Sequence, residues 1–156
     1  MHPQEALQLA QQELKRADHS IAVSLKYTRT VDVLKSIIER LINTISFSMD
    51  VLLAQAKQQK KIQEIPALPR VKIEAVTKIY PEDKTVQDFI QFYLLLRRID
   101  KAKFTRTQEY RRHVTMTATL DDEKQIEITI DIITDYFDRT KEFLTYVGKT
   151  LGGPSE

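Results

Sequence analysis

The chain contains no cysteine. A disulfide framework, a thiolate metal site and a cysteine nucleophile are therefore excluded. Tryptophan is absent and histidine occurs only three times, too few for a histidine-built metal centre. Glycine is confined to positions 148, 152 and 153, and proline to 3, 66, 69, 81 and 154. Residues 4–65 thus lack both residues that most often punctuate a fold. Long apolar runs are missing too. The most apolar stretch, 42–56, is interrupted by Asn43, Asp50 and several hydroxyl side chains, whereas a membrane-spanning helix needs about 20 nearly uninterrupted apolar residues. The N-terminal stretch has no basic start followed by an apolar core, so no secretory signal is expected, and the reading is a cytoplasmic chain with no membrane partner. Charge of one sign does not dominate either. Lys and Arg number 24 against 22 Asp and Glu, a balance too mild to imply nucleic acid by itself.

What is present points to one domain. A chain of 156 residues, 42% of them hydrophobic, can build its own core without a staple. A single domain over 1–156 is expected, with 1–3 and 152–156 as frayed tails. One helix over residues 4–65 would reach about 90 Å at 1.5 Å per residue, too long for a domain this small. Two helices with a break within 26–30 are predicted instead. The first starts at Pro3 and turns Leu7, Ala10, Leu14, Ala17 and Ile21 to one face. The second carries Val31, Leu34, Ile38, Leu41, Ile45, Met49, Leu52 and Ala56 at spacings of three and four. Thr28 or Thr30 suits its N-cap, and Asp32 its positive end.

Pro66 and Pro69 mark a loop. A short helix is predicted over 70–80 and another over about 83–101, with Val86, Phe89, Ile90, Tyr93 and Leu96 inward. The period then changes to two. Val114, Met116, Ala118 and Leu120 alternate with threonines, and Ile126, Ile128 and Ile130 alternate with polar residues, which predicts a β-hairpin. The expected register sets Leu120 opposite Ile126, Ala118 opposite Ile128 and Met116 opposite Ile130. An early start of the last helix at Ile126 is the alternative. That helix presents Ile133, Tyr136, Phe137, Thr140, Phe143, Leu144 and Val147. The fold class is mainly α: a helical bundle of four to five helices, with a long N-terminal helical hairpin and a small β-hairpin before the last helix.

Charge is unevenly placed along this order. Residues 97–113 contain Arg97, Arg98, Lys101, Lys103, Arg106, Arg111 and Arg112, opposed only by Asp100 and Glu109. Arginine forks match phosphate oxygens, and Phe104 and Tyr110 among them suit base stacking. Residues 121–142 are acidic in turn, so the two blocks could instead face each other, within one chain or across a dimer. Asp131, Asp135, Asp138 and Glu142 fall within about 60° on the last helix. Such a stripe could hold Mg²⁺, but the preferred reading is a solvated helix face, so no metal site and no cofactor are assigned. His113 follows Arg111 and Arg112. A neutral imidazole there could act as general base on a hydroxyl while an arginine neutralises the attacked phosphate, which is the chemistry of a metal-independent ribonuclease. His19 reads as a surface residue, and His2 receives no role.

A long two-helix hairpin, two further helical segments, and an Arg and a His near the start of the last section together resemble the HEPN superfamily. The resemblance covers most of residues 4–147. It implies a compact α-helical domain, usually dimeric, and in catalytic members a ribonuclease site made of an Arg, a polar residue and a His after four to six intervening residues. Arg106, Thr107 and His113 match that pattern. On this resemblance Arg106 and His113 are the catalytic candidates. Arg97, Arg98, Lys101, Lys103, Tyr110, Arg111 and Arg112 are the candidates for binding RNA or nucleotide phosphate. The partners it implies are a second copy of the chain and RNA or a nucleotide. A non-catalytic structural module that meets a partner protein is the alternative.

Overall fold

The span free of glycine and proline folds as two helices joined by a three-residue turn. In the computed structural model, which describes residues 1–152, α1 runs Pro3–His19, continues through a π-helical turn Ser20–Ser24 and ends with Leu25–Tyr27, and α2 runs Val31–Gln58. Of the expected C-terminal tail, residues 153–156 lie outside the described residues. Thr30 caps α2, its Oγ1 accepting from the Val33 N–H at 3.3 Å, and Asp32 sits in the first turn. The N-terminal start is not frayed. His2 Nδ1 accepts from Gln4 N–H at 3.2 Å, the His2 N–H donates to Glu5 at 3.3 Å, and Pro3 is buried. The histidine without a sequence role is therefore a helix cap, and each such partner satisfies a backbone group that the first turn leaves orphaned.

Helix α2 is the axis of the bundle. It packs against α1, against α3 (Pro69–Ile79), α4 (Lys84–Lys101) and α5 (Ile130–Gly152). Every member of the stripe from Val31 to Ala56 is buried, and Ile37, Val51 and Leu53 are buried as well. A one-faced stripe is the sequence signature of a surface helix; here neighbours cover the other faces too. Asp83 caps α4 by accepting from Val86 N–H at 3.1 Å, and its second oxygen accepts the Tyr146 hydroxyl of α5. That hydrogen bond pushes the Tyr146 phenol up to about 12.

Glu13 of α1 is a buried acid that joins the hairpin. It accepts from Arg16 at 3.0 Å, from Arg40 at 3.1 Å and from Asn43 at 2.9 Å. Burial pulls its carboxyl upward, but the hydrogen bonds from Asn43 and Arg16 and the charges of Arg40 and Arg16 outweigh it and hold Glu13 below the usual carboxylate value. A group depressed in the folded state contributes stability above its unfolded pKa, and that contribution is lost as pH falls through the folded value. Glu13→Gln is expected to be less stable than wild type at pH 7, with the gap narrowing below about pH 4. Urea midpoints across pH 3–7 check this, and a gap that stays constant contradicts it.

The sheet has three antiparallel strands rather than two. β1 (Lys103–Thr107), β2 (Thr115–Thr119) and β3 (Gln125–Ile128) lie in that order. β1 escapes a periodicity reading because Phe104 is its only apolar residue. Ala118 faces Ile126 and Met116 faces Ile128, a register two residues off the expected one. An even shift keeps every side chain on its face, so Met116, Ala118 and Ile128 are all fully buried. The shift follows from a tight loop, closed by Leu120 N–H on Lys124 O and Glu123 N–H on Leu120 O, both at 2.9 Å. Thr129 then caps α5, accepting from Ile132 N–H at 3.2 Å, so residues up to Ile128 are strand and the helix starts at Ile130.

Glu123 occupies the left-handed backbone region, φ 66°, the position where a loop of this kind favours glycine. Glu123→Gly is expected to stabilise the protein by about 0.5–1 kcal/mol. An upward shift of the urea midpoint at unchanged slope would show it; an unchanged or lower midpoint would contradict it.

Candidate nucleic-acid interface

Arg106 faces Met116 across the β1–β2 ladder and so shares the side of the sheet turned toward the helices. Its Nη1 lies 2.9 Å from Asp32 and 3.8 Å from Glu109, and its guanidinium is 5.2 Å from the Phe104 ring centre. Glu109 in turn accepts from the Val31 N–H at 2.9 Å. Two carboxylates thus sit at the N-terminus of α2, where the helix dipole favours negative charge, and Arg106 lies between them and offsets one of the two charges.

A third link completes the junction. Tyr110 N–H donates to Arg29 O at 2.6 Å. The β1–β2 loop is thereby fastened to the α1–α2 turn by residues more than 70 positions apart in the chain. Gln108 (φ 58°) and Tyr110 (φ 66°) hold left-handed backbones within this loop. That conformation is rare for a bulky side chain, and persists only where surrounding contacts enforce it. Tyr110 is 77% exposed, and so is Tyr27 at the end of α1, with Lys26 Nζ 5.9 Å from the Tyr27 ring centre.

His113 lies in the bend before β2 and is exposed. Its carbonyl accepts from Thr115 Oγ1 at 2.8 Å. Among the described residues its ring has no hydrogen-bond partner, and no hydrogen bond joins it to Arg106. The two catalytic candidates therefore stand differently: one is engaged in ion pairs at a helix terminus, the other is free in a loop.

The remaining basic residues divide into two groups. Tyr110, Arg111 and Arg112 are exposed at the loop. Arg97, Arg98, Lys101 and Lys103 gather at the other end of β1, around a groove of about 640 Å³ also lined by Thr119, Leu120 and Asp121. Lys103 pairs with Thr119 and Thr107 with Thr115, so the groups are separated by the strand's length, about 13 Å at 3.3 Å per residue. Arg98 is held by Asp121 at 2.7 Å and Asp122 at 3.2 Å, and Arg97 lies 5.7 Å from the Tyr93 ring centre. Among the described residues Lys101, Lys103, Arg111 and Arg112 form no ion pair.

Among the described residues the acidic stripe of α5 forms no ion pair with this basic block. Asp131, Asp135, Asp138 and Glu142 are exposed, and the partners of Arg98 and Arg106 come from loops and from α2 instead. Among the described residues no three His, Asp or Glu side chains converge as metal ligands, and no helix is long and apolar enough to cross a membrane. Sequence reading missed Lys26, Tyr27 and Arg29, which share the junction with Tyr110. The only signal was an aromatic residue at the predicted helix break. No family model matches the chain, and neither does any curated protein or solved structure.

Proposed function

We propose that the chain is a HEPN-like domain that binds RNA or nucleotide phosphate at the junction of the β1–β2 loop and the α1–α2 turn, acting as a homodimer. One observation carries the reading: Arg111 and Arg112 project from a strained loop that is pinned to the turn, exposed and without acidic partners among the described residues. Fixed, unneutralised cations beside exposed aromatics suit a polyanion. Binding without catalysis is favoured over ribonuclease activity. Arg106 is committed to Asp32 and Glu109, and Thr107 stands where the family pattern carries Asn, Asp or His.

The test is RNA affinity against salt. Replacing Arg111 and Arg112 together by alanine is expected to weaken binding and to lower the slope of log affinity against log salt by about 1.4, at ~0.7 for each phosphate contact on a single strand. An unchanged slope contradicts the reading. Catalysis predicts more: wild type would cleave RNA in EDTA, and His113→Ala would lose 10²–10⁴-fold of that activity, the usual order for a general acid–base group.

The acidic stripe of α5, without an ion pair among the described residues, favours a second reading in which it meets the basic block of another copy. Sedimentation equilibrium across a salt series tests this pairing. A dimer that dissociates at high salt supports interchain pairing, and a monomer of about 18 kDa at micromolar concentration contradicts it.

A further inference from the structure

We propose that Tyr27 and Tyr110 form a platform on which unpaired bases stack, so that the ligand of this surface is single-stranded RNA. The inference rests on the RNA-binding reading above and adds the class of RNA and, beside Tyr110, a second residue that selects it. Among the exposed large apolar side chains of the described residues, these two are the most exposed, at 77% each. Aromatic rings are usually withdrawn from water, because each buries a large apolar area when it packs. Two left out at one junction are a surface awaiting a flat apolar partner.

The backbone anchors both residues at the same junction. Tyr110 N–H is bonded to Arg29 O at 2.6 Å, and Tyr27 is two residues before Arg29, no more than about 7.6 Å away between Cα atoms. Neither ring is free to retreat through its backbone. Tyr27 ends a helix, and Tyr110 is held at φ 66°, away from the conformations that a bulky residue adopts by preference. The lock made by Arg106, Asp32, Glu109 and Val31 keeps that loop in place.

The electrostatic setting matches. Lys26, Arg29, Arg111 and Arg112 adjoin the two tyrosines in sequence and form no ion pair among the described residues. The acids of the junction are engaged within it, Asp32 by Arg106 and Glu109 by Arg106 and the Val31 N–H. Cations that track a backbone beside rings that take the bases are the two parts of a single-strand site. A duplex keeps its bases stacked on one another and has none to offer, so it can use only the cations.

Fluorescence anisotropy with a labelled ten-nucleotide single strand, and with the same strand annealed to its complement, tests this at fixed low salt. Tyr27→Ala and Tyr110→Asn are each expected to weaken single-strand binding roughly 5- to 150-fold and to leave duplex binding unchanged. Asparagine is chosen at 110 because it tolerates the left-handed backbone. Tyr27→Phe and Tyr110→Phe keep the ring and should bind as wild type does. Thermal melts of each variant within a few degrees of wild type establish that the fold is intact. Equal binding of single strand and duplex, or full binding by the ring-less variants, overturns the platform while leaving the basic surface standing. If wild type binds neither RNA form, the RNA reading itself fails and the platform with it.

Discussion

Ile128→Asp is expected to unfold the protein or to leave it barely stable at pH 7. Ile128 is fully buried, faces Met116 across the ladder and belongs to the continuous core with Val114 and Ala118. Losing its burial removes about 1.5–3 kcal/mol. Placing a carboxylate among those apolar side chains adds a penalty of several kcal/mol, because the cation on that face, Arg106, lies two strands away and is already paired with Asp32. The sum, upward of about 5 kcal/mol, is comparable with the whole stability of an ordinary domain, about 5–15 kcal/mol. A buried unpaired carboxyl has a folded pKa above its unfolded one, so the folded variant holds its proton and loses stability as pH rises. Chemical denaturation at pH 4 and pH 7 should show a larger deficit at pH 7. A variant whose urea midpoint stays close to wild type would mean that residue 128 reaches water.

Lys72→Met is expected to cost about 3–5 kcal/mol, the usual loss when one partner of a buried ion pair is removed. Lys72 Nζ of α3 lies 2.9 Å from Asp50 of α2 and 2.9 Å from Ser46 Oγ, and the Lys72 and Asp50 side chains are only 7% and 10% exposed. Burial pushes the Asp50 carboxyl up, while the hydrogen bond and charge of Lys72 pull it back. Without the lysine only the burial remains. At ~2–4 °C for each kcal/mol in a chain of this size, the melting temperature should fall by roughly 6–20 °C. The double variant Asp50→Leu, Lys72→Met removes both charges and should recover most of that loss, since well-packed apolar pairs often match or exceed buried ion pairs. A single variant that melts within about 2 °C of wild type, or a double variant no better than the single, would show that the pair does not couple α2 to α3.

Neither of these sites was equally readable from the chain. Ile128 was assigned to the buried face by alternation alone, and the two-residue register shift did not move it off that face, because side chains in a strand repeat every two residues. Asp50 looked like an interruption in an apolar stretch. Its partner lies on another helix, and nothing in the spacing of either residue names the other. The same holds for Glu13, which lies outside the apolar positions read for the first helix and is buried against Arg40 and Asn43.

The candidate site divides along the same line. Arg111 and Arg112 were legible as basic residues between a helical segment and the first strand of the expected hairpin. Their separation from the cluster at Arg97–Lys103 was not, because it depends on β1 running the length of the sheet between them. Arg106 and His113 match a linear pattern, yet their partners are set by which segment the loop touches. That segment, the α1–α2 turn, contributes Arg29, Val31 and Asp32.

The sequence by itself determined the helices, the break before Val31, the buried stripe of α2 and the alternation of β2 and β3. Each of these is a local periodicity or a local cap, written in residues three, four or two positions apart. The tertiary structure alone decided the third strand, the register, the ion pairs of Glu13, Asp50 and Arg106, and the bond that fastens Tyr110 to the α1–α2 turn. Those depend on closing loops that join residues tens of positions apart. The energy that closes them is the pooled burial of the bundle's core, which no short window of sequence contains.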